Sequence, residues 1–160
     1  LAVVGVVTAG SAVGFLPWNA PRAKVFLGDV GSYLFGALAA GGLLLGTSGA
    51  VPAPLMVAPL LVYIIDVAAT LGRRALRKSA LTQAHREHVY QRLVHELQVS
   101  HLLVSTCTTL IAAVIVVAWV IGPMWLAAIS TLVLLSVYLA SVSLWRRARP
   151  ASKLNEVREA

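Results

Sequence analysis

Three stretches of this 160-residue chain contain no Asp, Glu, Lys or Arg: residues 1–21, 30–65 and 102–145. An uncharged apolar run of about 18 residues or more can cross the roughly 30 Å hydrocarbon core as a helix rising about 1.5 Å per residue. The second and third runs are too long for one crossing. Each is interrupted near its middle, by GTSGAVPAP at 46–54 and by IGPM at 121–124, and Gly and Pro at such points end helices. Each therefore reads as a helical hairpin. The expected fold is an all-α integral membrane protein with five transmembrane helices, near 2–16, 31–48, 54–72, 101–121 and 125–145. Residues 1–145 form one polytopic membrane domain, and 146–160 a basic tail.

A composition of 59% hydrophobic and 12% charged residues excludes an ordinary soluble domain, but the net charge of +7 needs an account. All thirteen Lys and Arg fall in the 17–29 loop, the 73–98 segment and the tail from Arg146 onward. The loops around 47–53 and 122–124 carry no charge. With five spans, the three basic regions share one side of the membrane. The positive-inside rule makes that side cytoplasmic. The basic excess is then topology, and nucleic acid is excluded as a partner. Trp145 followed by RRAR reads as an interfacial anchor. The single cysteine, Cys107, lies in an apolar run, so there is no disulfide framework. The opening LAVVGVVTAG lacks the basic flank of a signal peptide and starts within a helical run. It is expected to begin the C-terminal part of a longer protein.

The second span holds Gly31, Gly36, Gly41, Gly42 and Gly46. Small residues so spaced let helices approach closely in lipid, which predicts a central place in the bundle. The last two spans, rich in Leu, Val and Ile, are expected to face lipid. The 73–100 segment is too polar to span. Leu81, Val89, Leu93 and Leu97 lie on one helical stripe, and His85, His88, Arg92 and His95 on its neighbour. A cytoplasmic amphipathic helix with an apolar seat and a face of imidazoles and guanidinium is expected.

Three features could carry chemistry. Asp29, between Gly28 and Gly31, is a hard oxygen ligand suited to Mg²⁺ with a phosphate substrate, or else an acid interacting with a helix dipole. His85 and His88, with Arg86 and Arg92 nearby, suit a diphosphate, or else are solvated. Asp66, inside an apolar run and two turns before Arg73 and Arg74, is a functional acid or a buried one bonded to a neighbouring helix. A zincin reading of His95-Glu96 fails, because position 99 is Val.

NAPRAKVFLGDVGSYLFG, residues 19–36, resembles the pattern N-x-x-x-A-x-x-F-x-G-D-x-G-S of the polyprenyl-phosphate N-acetylhexosamine-1-phosphate transferases of the MraY/WecA type. Asn19, Ala23, Phe26, Gly28, Asp29, Gly31 and Ser32 match in a fourteen-residue window. AHREHVYQRL at 84–93 resembles the family's His-rich cytoplasmic loop, in the form of the WbpL-like, O-antigen-initiating branch. The resemblance implies an enzyme of the bacterial inner membrane, facing the cytoplasm, that moves a sugar-1-phosphate from a UDP-N-acetylhexosamine to undecaprenyl phosphate and releases UMP. It implies Mg²⁺, with Mn²⁺ as an alternative, held by Asp29, and it admits a homodimer. Phe26 would stack on uracil and Asn19 contact the nucleotide, with Gly28, Gly31, Ser32, Arg86 and Asp66 on the substrate. His85 and His88 would contact the diphosphate or orient the attacking phosphate. The family's N-terminal acidic motifs do not occur in these 160 residues, so the chain alone is expected to be inactive. The rival readings are an ion-coupled transporter using Asp29 and Asp66, and a non-catalytic membrane protein.

Overall fold

A computed structural model of the chain describes residues 2–47, 52–78 and 87–148. Those residues are mainly helical and contain no strand. Their helices are α1 (Ala2–Asn19), α2 (Gly28–Thr47), α3 (Ala53–Val57), α4 (Leu61–Leu76), α5 (Val89–His95), α6 (His101–Ile121) and α7 (Met124–Ala148). A 3₁₀ turn, Ala58–Leu60, leads into α4. Five segments are long and apolar enough to cross a membrane: Ala2–Asn19, Gly28–Gly46, Ala53–Leu76, His101–Ile121 and Met124–Ala148. This is a multi-pass membrane protein, and it is helical because lipid offers no partner to an open backbone group. Both expected breaks fall where Gly and Pro place them, with α2 ending at Thr47 and α6 at Ile121.

Helices α1 and α7 each run about a turn past their expected ends, to Asn19 and Ala148, and three further differences bear on the site. Helix α2 starts at Gly28 rather than 31, which puts Asp29 within its first turn, where the positive end of the helix dipole favours an acid. Helix α4 runs on to Leu76, carrying Arg73 and Arg74 in its last turn, where cations suit the opposite end of the dipole. The amphipathic helix expected across 73–100 is, among the described residues, only the seven-residue α5.

The chain divides into two compact units, Leu1–Val57 and Ala58–Ala160. In the first, α1 and α2 are joined by the loop 20–27. A side chain added at Gly46 would meet the Met56 methyl group at 1.9 Å, so the absent Cβ lets α3 lie against the end of α2. At Gly36, Gly41 and Gly42 an added Cβ would meet nothing within 4 Å. Among Gly36, Gly41, Gly42 and Gly46, only Gly46 serves close packing within this unit.

The second unit has a core made by Ala58, Val62, Val89, Leu97, Ile115, Leu135 and Tyr138, with further apolar residues packed around it. Helices α6 and α7 form an antiparallel pair whose inner faces supply Ile115, Leu135, Tyr138 and Val142. Trp119 Nε1 donates to Thr131 Oγ1 across the pair at 3.1 Å. Lipid-facing describes only their outer sides, where Val114, Val117, Leu132 and Val137 are exposed. Helix α4 is polar inward and apolar outward: Asp66, Thr70 and Arg74 are buried, while Tyr63, Ile64 and Val67 are exposed. That reversal of the soluble pattern is expected where the outer solvent is lipid.

Helix α5 packs on α6 and α7 through Val89, Leu93, Val94 and the following Leu97, which bears out the expected apolar seat for its described members. Its C-terminus is tethered by Glu96, which accepts from Arg92 Nε at 2.9 Å and also binds Arg146 at the end of α7. Arg146, expected to serve a membrane anchor, thus also pins α5. Partial burial pushes the Glu96 carboxyl up, but hydrogen bonds from Arg92 and Arg146 outweigh it and hold the group below its ordinary value of 4.5. A group with a depressed folded pKa contributes stability that is fully present above its unfolded value and is lost as pH falls through the folded one. Thermal unfolding in detergent, followed from neutral pH downward, should therefore lose less stability in Glu96→Gln than in the parent. Equal acid slopes in the two proteins would contradict this account.

Candidate functional site

In the first unit, the motif residues gather where α1 gives way to α2. Lys24 and Val25 both return their N–H groups to the Trp18 carbonyl, at 2.8 and 3.2 Å, folding the loop over the end of α1. Asn19, the last residue of α1, donates its Nδ2 to the Val25 carbonyl at 3.2 Å. The side chain expected to read a nucleotide therefore also clips the loop, and the next residue, Phe26, is held outward with 79% of its surface exposed. Gly28 has φ +67°, a left-handed conformation that a residue with a Cβ adopts at a cost, and it turns the chain into α2. Ser32 donates its hydroxyl to the Gly28 carbonyl at 2.8 Å, within the first turn. The open side of Gly31 is occupied by Leu27, whose side chain lies 2.5 Å from where a Cβ would be.

Asp29 is exposed, and among the described residues it makes no hydrogen bond or ion pair. Whether it suits Mg²⁺ follows from its donors. Mg²⁺ binds through one or two carboxylates and keeps its remaining positions for water and phosphate. An unengaged carboxylate at a helix start fits as one such ligand. Among the described residues no group of three or more His, Cys, Asp or Glu converges on a common centre, so Asp29 fits as one corner of a site and not as a complete cage.

In the second unit, α4 grips three consecutive residues that lead into α5. Arg74 Nη1 donates to Glu87 Oε1 at 2.9 Å, and Arg73 Nη2 reaches the Glu87 carbonyl at 3.4 Å and Thr70 Oγ1 at 2.9 Å. His88 places Nδ1 at 3.5 Å from Asp66 Oδ2. Val89 donates its backbone N–H to Asp66 Oδ1 at 2.9 Å, and Tyr138 of α7 donates its hydroxyl to Oδ2 at 3.2 Å. Positions 66, 70, 73 and 74 share one face of α4 because they recur at helical spacing. With His88 extended (φ −62°, ψ 148°), the segment 87–89 runs along that face.

The expected face of imidazoles and guanidinium is corrected by this geometry. His88 precedes α5 and turns to Asp66, Arg92 pairs with Glu96, and His95 meets the ring of His101 edge-on at 6.4 Å. His88 leaves the expected stripe because the helix begins only at Val89, whereas Arg92 and His95, three residues apart within α5, keep their helical spacing. His85 and Arg86 lie outside the described residues. Asp66 is 3% exposed, and both of its oxygens accept from the protein. Tyr138 and Tyr90 were not singled out by the sequence. Tyr90 stacks beside His88, with ring centres 5.8 Å apart, and burial followed by the Asp66 charge raises its phenol above the ordinary value of 10.0. A tyrosine in an apolar run gives no signal of a polar partner elsewhere in the chain.

A cavity of about 300 Å³ lies beside this network, lined by Tyr63, Tyr90, His101, Ser105, Thr108 and Tyr138 among others. It is aromatic and hydroxyl-bearing, and it shares Tyr90 and Tyr138 with the surroundings of Asp66.

Residues 1–47 match the model of glycosyl transferase family 4, a segment that contains the whole Asn19–Ser32 motif. Phospho-N-acetylmuramoyl-pentapeptide-transferase of Mycobacteroides abscessus is 41% identical over 87 residues, which is 48% of this chain and 23% of the relative. The protein of the same description from Mycobacterium avium is 54% identical over 41 residues, 26% of this chain and 11% of the relative. Decaprenyl-phosphate N-acetylglucosaminephosphotransferase of Mycobacterium tuberculosis is 35% identical over 114 residues, 62% of this chain and 28% of the relative. The matches with the first and third of these span about a quarter of each relative's length. No solved structure matches significantly. The family match and these relatives together support, for this chain, the polyprenyl-phosphate hexosamine-1-phosphate transferase family that its Asn19–Ser32 motif resembles.

Proposed function

We propose that this chain supplies part of the active site of an enzyme that transfers a sugar-1-phosphate from a UDP-N-acetylhexosamine to a polyprenyl phosphate. A phosphate oxygen of the lipid bonds to the sugar-linked phosphorus, the bond from that phosphorus to UMP breaks, and UMP leaves. The observation that carries the reading is the α1–α2 junction. There a family-matched segment holds an exposed aromatic ring, Phe26, three residues from an unengaged carboxylate, Asp29. An exposed ring suits a nucleobase, because stacking accepts any π-face. Asp29 would hold Mg²⁺, or Mn²⁺ in its place, as one ligand beside the donor's phosphates. The bound ion would offset the negative charge of the diphosphate. His88 would contact the diphosphate or orient the attacking phosphate.

In this reading the chemistry is on the cytoplasmic side, which the clustering of Lys and Arg in three regions supports, and the membrane is the bacterial inner membrane that the family resemblance implies. Undecaprenyl phosphate is the acceptor that the motif resemblance implies. Decaprenyl phosphate is a second reading, favoured by the name of the Mycobacterium tuberculosis relative. The product would begin an envelope polysaccharide. O-antigen is the polymer suggested by residues 84–93, and the names of the Mycobacteroides abscessus and Mycobacterium avium relatives favour a phospho-N-acetylmuramoyl-pentapeptide product instead.

Two substitutions in the full-length protein test the site, with UMP release from membranes supplied with UDP-sugar, polyprenyl phosphate and Mg²⁺ as the readout. Asp29→Asn keeps the shape but not the charge and should lower turnover at least about hundredfold. Near-normal turnover would remove the metal assignment. Phe26→Ala should raise KM for the UDP-sugar about fivefold or more, with kcat little changed, since base stacking contributes about 1–3 kcal/mol. An unchanged KM would exclude the stacking role.

A further inference from the structure

A carboxylate inside an apolar helix is held only where donors meet it, because an unpaired charge there is costly. Asp66 is met from two elements. Val89 donates its N–H to Oδ1, Tyr138 its hydroxyl to Oδ2, and His88 Nδ1 faces Oδ2 at 3.5 Å. His88 is also confined on its other sides. The ring of Tyr90 lies nearly parallel to the imidazole, at an interplanar angle of 19°, and the preceding residue, Glu87, is fixed by Arg74 at 2.9 Å. The His88 backbone N–H reaches Gln91 Oε1 at 3.4 Å. The acid is buried while the histidine side chain is 20% exposed, so a ligand can reach the imidazole but not the carboxylate.

We propose that Asp66 is a positioning residue: with Tyr138 locking its second oxygen, it holds the start of α5 and presents His88 to the phosphate-bearing substrate. The inference rests on the reading of His88 as a group that meets substrate phosphate. It replaces direct substrate contact by Asp66 with action through another residue. A charged partner behind an imidazole fixes the ring's orientation, and supporting partners of this kind govern how well the exposed residue works. The geometry also gives Tyr138, far along the last span, a role in the same arrangement.

A double-mutant cycle in the full-length protein, in membranes, tests this by UMP release. Asp66→Asn keeps an oxygen for the Val89 N–H while removing the charge that faces His88. It should lower kcat about tenfold and leave KM for the UDP-sugar unchanged, as for a misplaced group at the reacting centre. His88→Ala should lower kcat by itself. Adding Asp66→Asn to His88→Ala should cost less than about a further twofold, because a residue acting through His88 has nothing left to act on. A full further tenfold loss in the double variant overturns the role of Asp66 and leaves that of His88 standing. Unchanged turnover in Asp66→Asn overturns it as well. Wild-type turnover in His88→Ala removes the reading of His88, and the inference falls with it. If Asp66→Asn fails to accumulate, Tyr138→Phe runs the same cycle, since it deletes only the hydroxyl on Oδ2. Its smaller loss of kcat, roughly threefold, should likewise vanish in the His88→Ala background, and persistence of that loss overturns the proposal.

Discussion

The second unit depends on satisfying one carboxylate. Asp66 lies within a span whose neighbours in sequence are apolar, and water is not available to solvate it there. Its charge is tolerable only with donors on both oxygens, and the chain supplies them from Val89 and Tyr138, 23 and 72 residues away in sequence. Meeting that requirement brings the start of α5 against α4 and ties α7 to both. The apolar stripe of α5 then seats on α6 and α7, and Glu96 completes the attachment through Arg146. Hydrophobic contact is non-directional and would allow α5 to slide. The carboxylate and the two arginines of α4 choose one register for it.

Asp29 has the opposite circumstances although it is the same residue type. It stands in the first turn of α2, where the helix dipole favours an anion and solvent reaches it, so it needs no protein partner. Gly28, in its left-handed conformation, sets that turn, and Asn19 clips the loop that delivers Phe26 outward. An acid left unengaged beside an exposed ring suits ligand binding. An acid with both oxygens occupied in a helix interior suits support. Burial and partners separate the roles of the two aspartates better than their sequence surroundings do.

Much of the architecture was legible because membrane helices are set by length and polarity alone. The uncharged runs gave the five spans, and GTSGAVPAP and IGPM gave the breaks between them. The stripe of Val89, Leu93 and Leu97 was legible for the same reason, as it follows from periodicity. The placement of His88 was not, because periodicity assumes a helix that begins only after it. Lipid-facing surfaces for α6 and α7 were half right. Leu, Val and Ile serve equally against lipid and against another helix, so composition cannot divide one face from the other.

By itself the sequence determined that this chain spans a membrane as helices, where those helices break, and that Asn19, Phe26 and Asp29 stand together at one junction. Those features follow from local chemistry: hydropathy over a helix length, the backbone limits of Gly and Pro, and residues close in the chain. Only the tertiary structure decided that Asp66 is clasped by Val89 and Tyr138, that Arg73 and Arg74 hold Glu87, and that Arg146 reaches Glu96. Each of these joins residues at least 13 positions apart, and a polar side chain in a sequence does not specify which distant partner will satisfy it. That choice is made when burial removes water as the alternative.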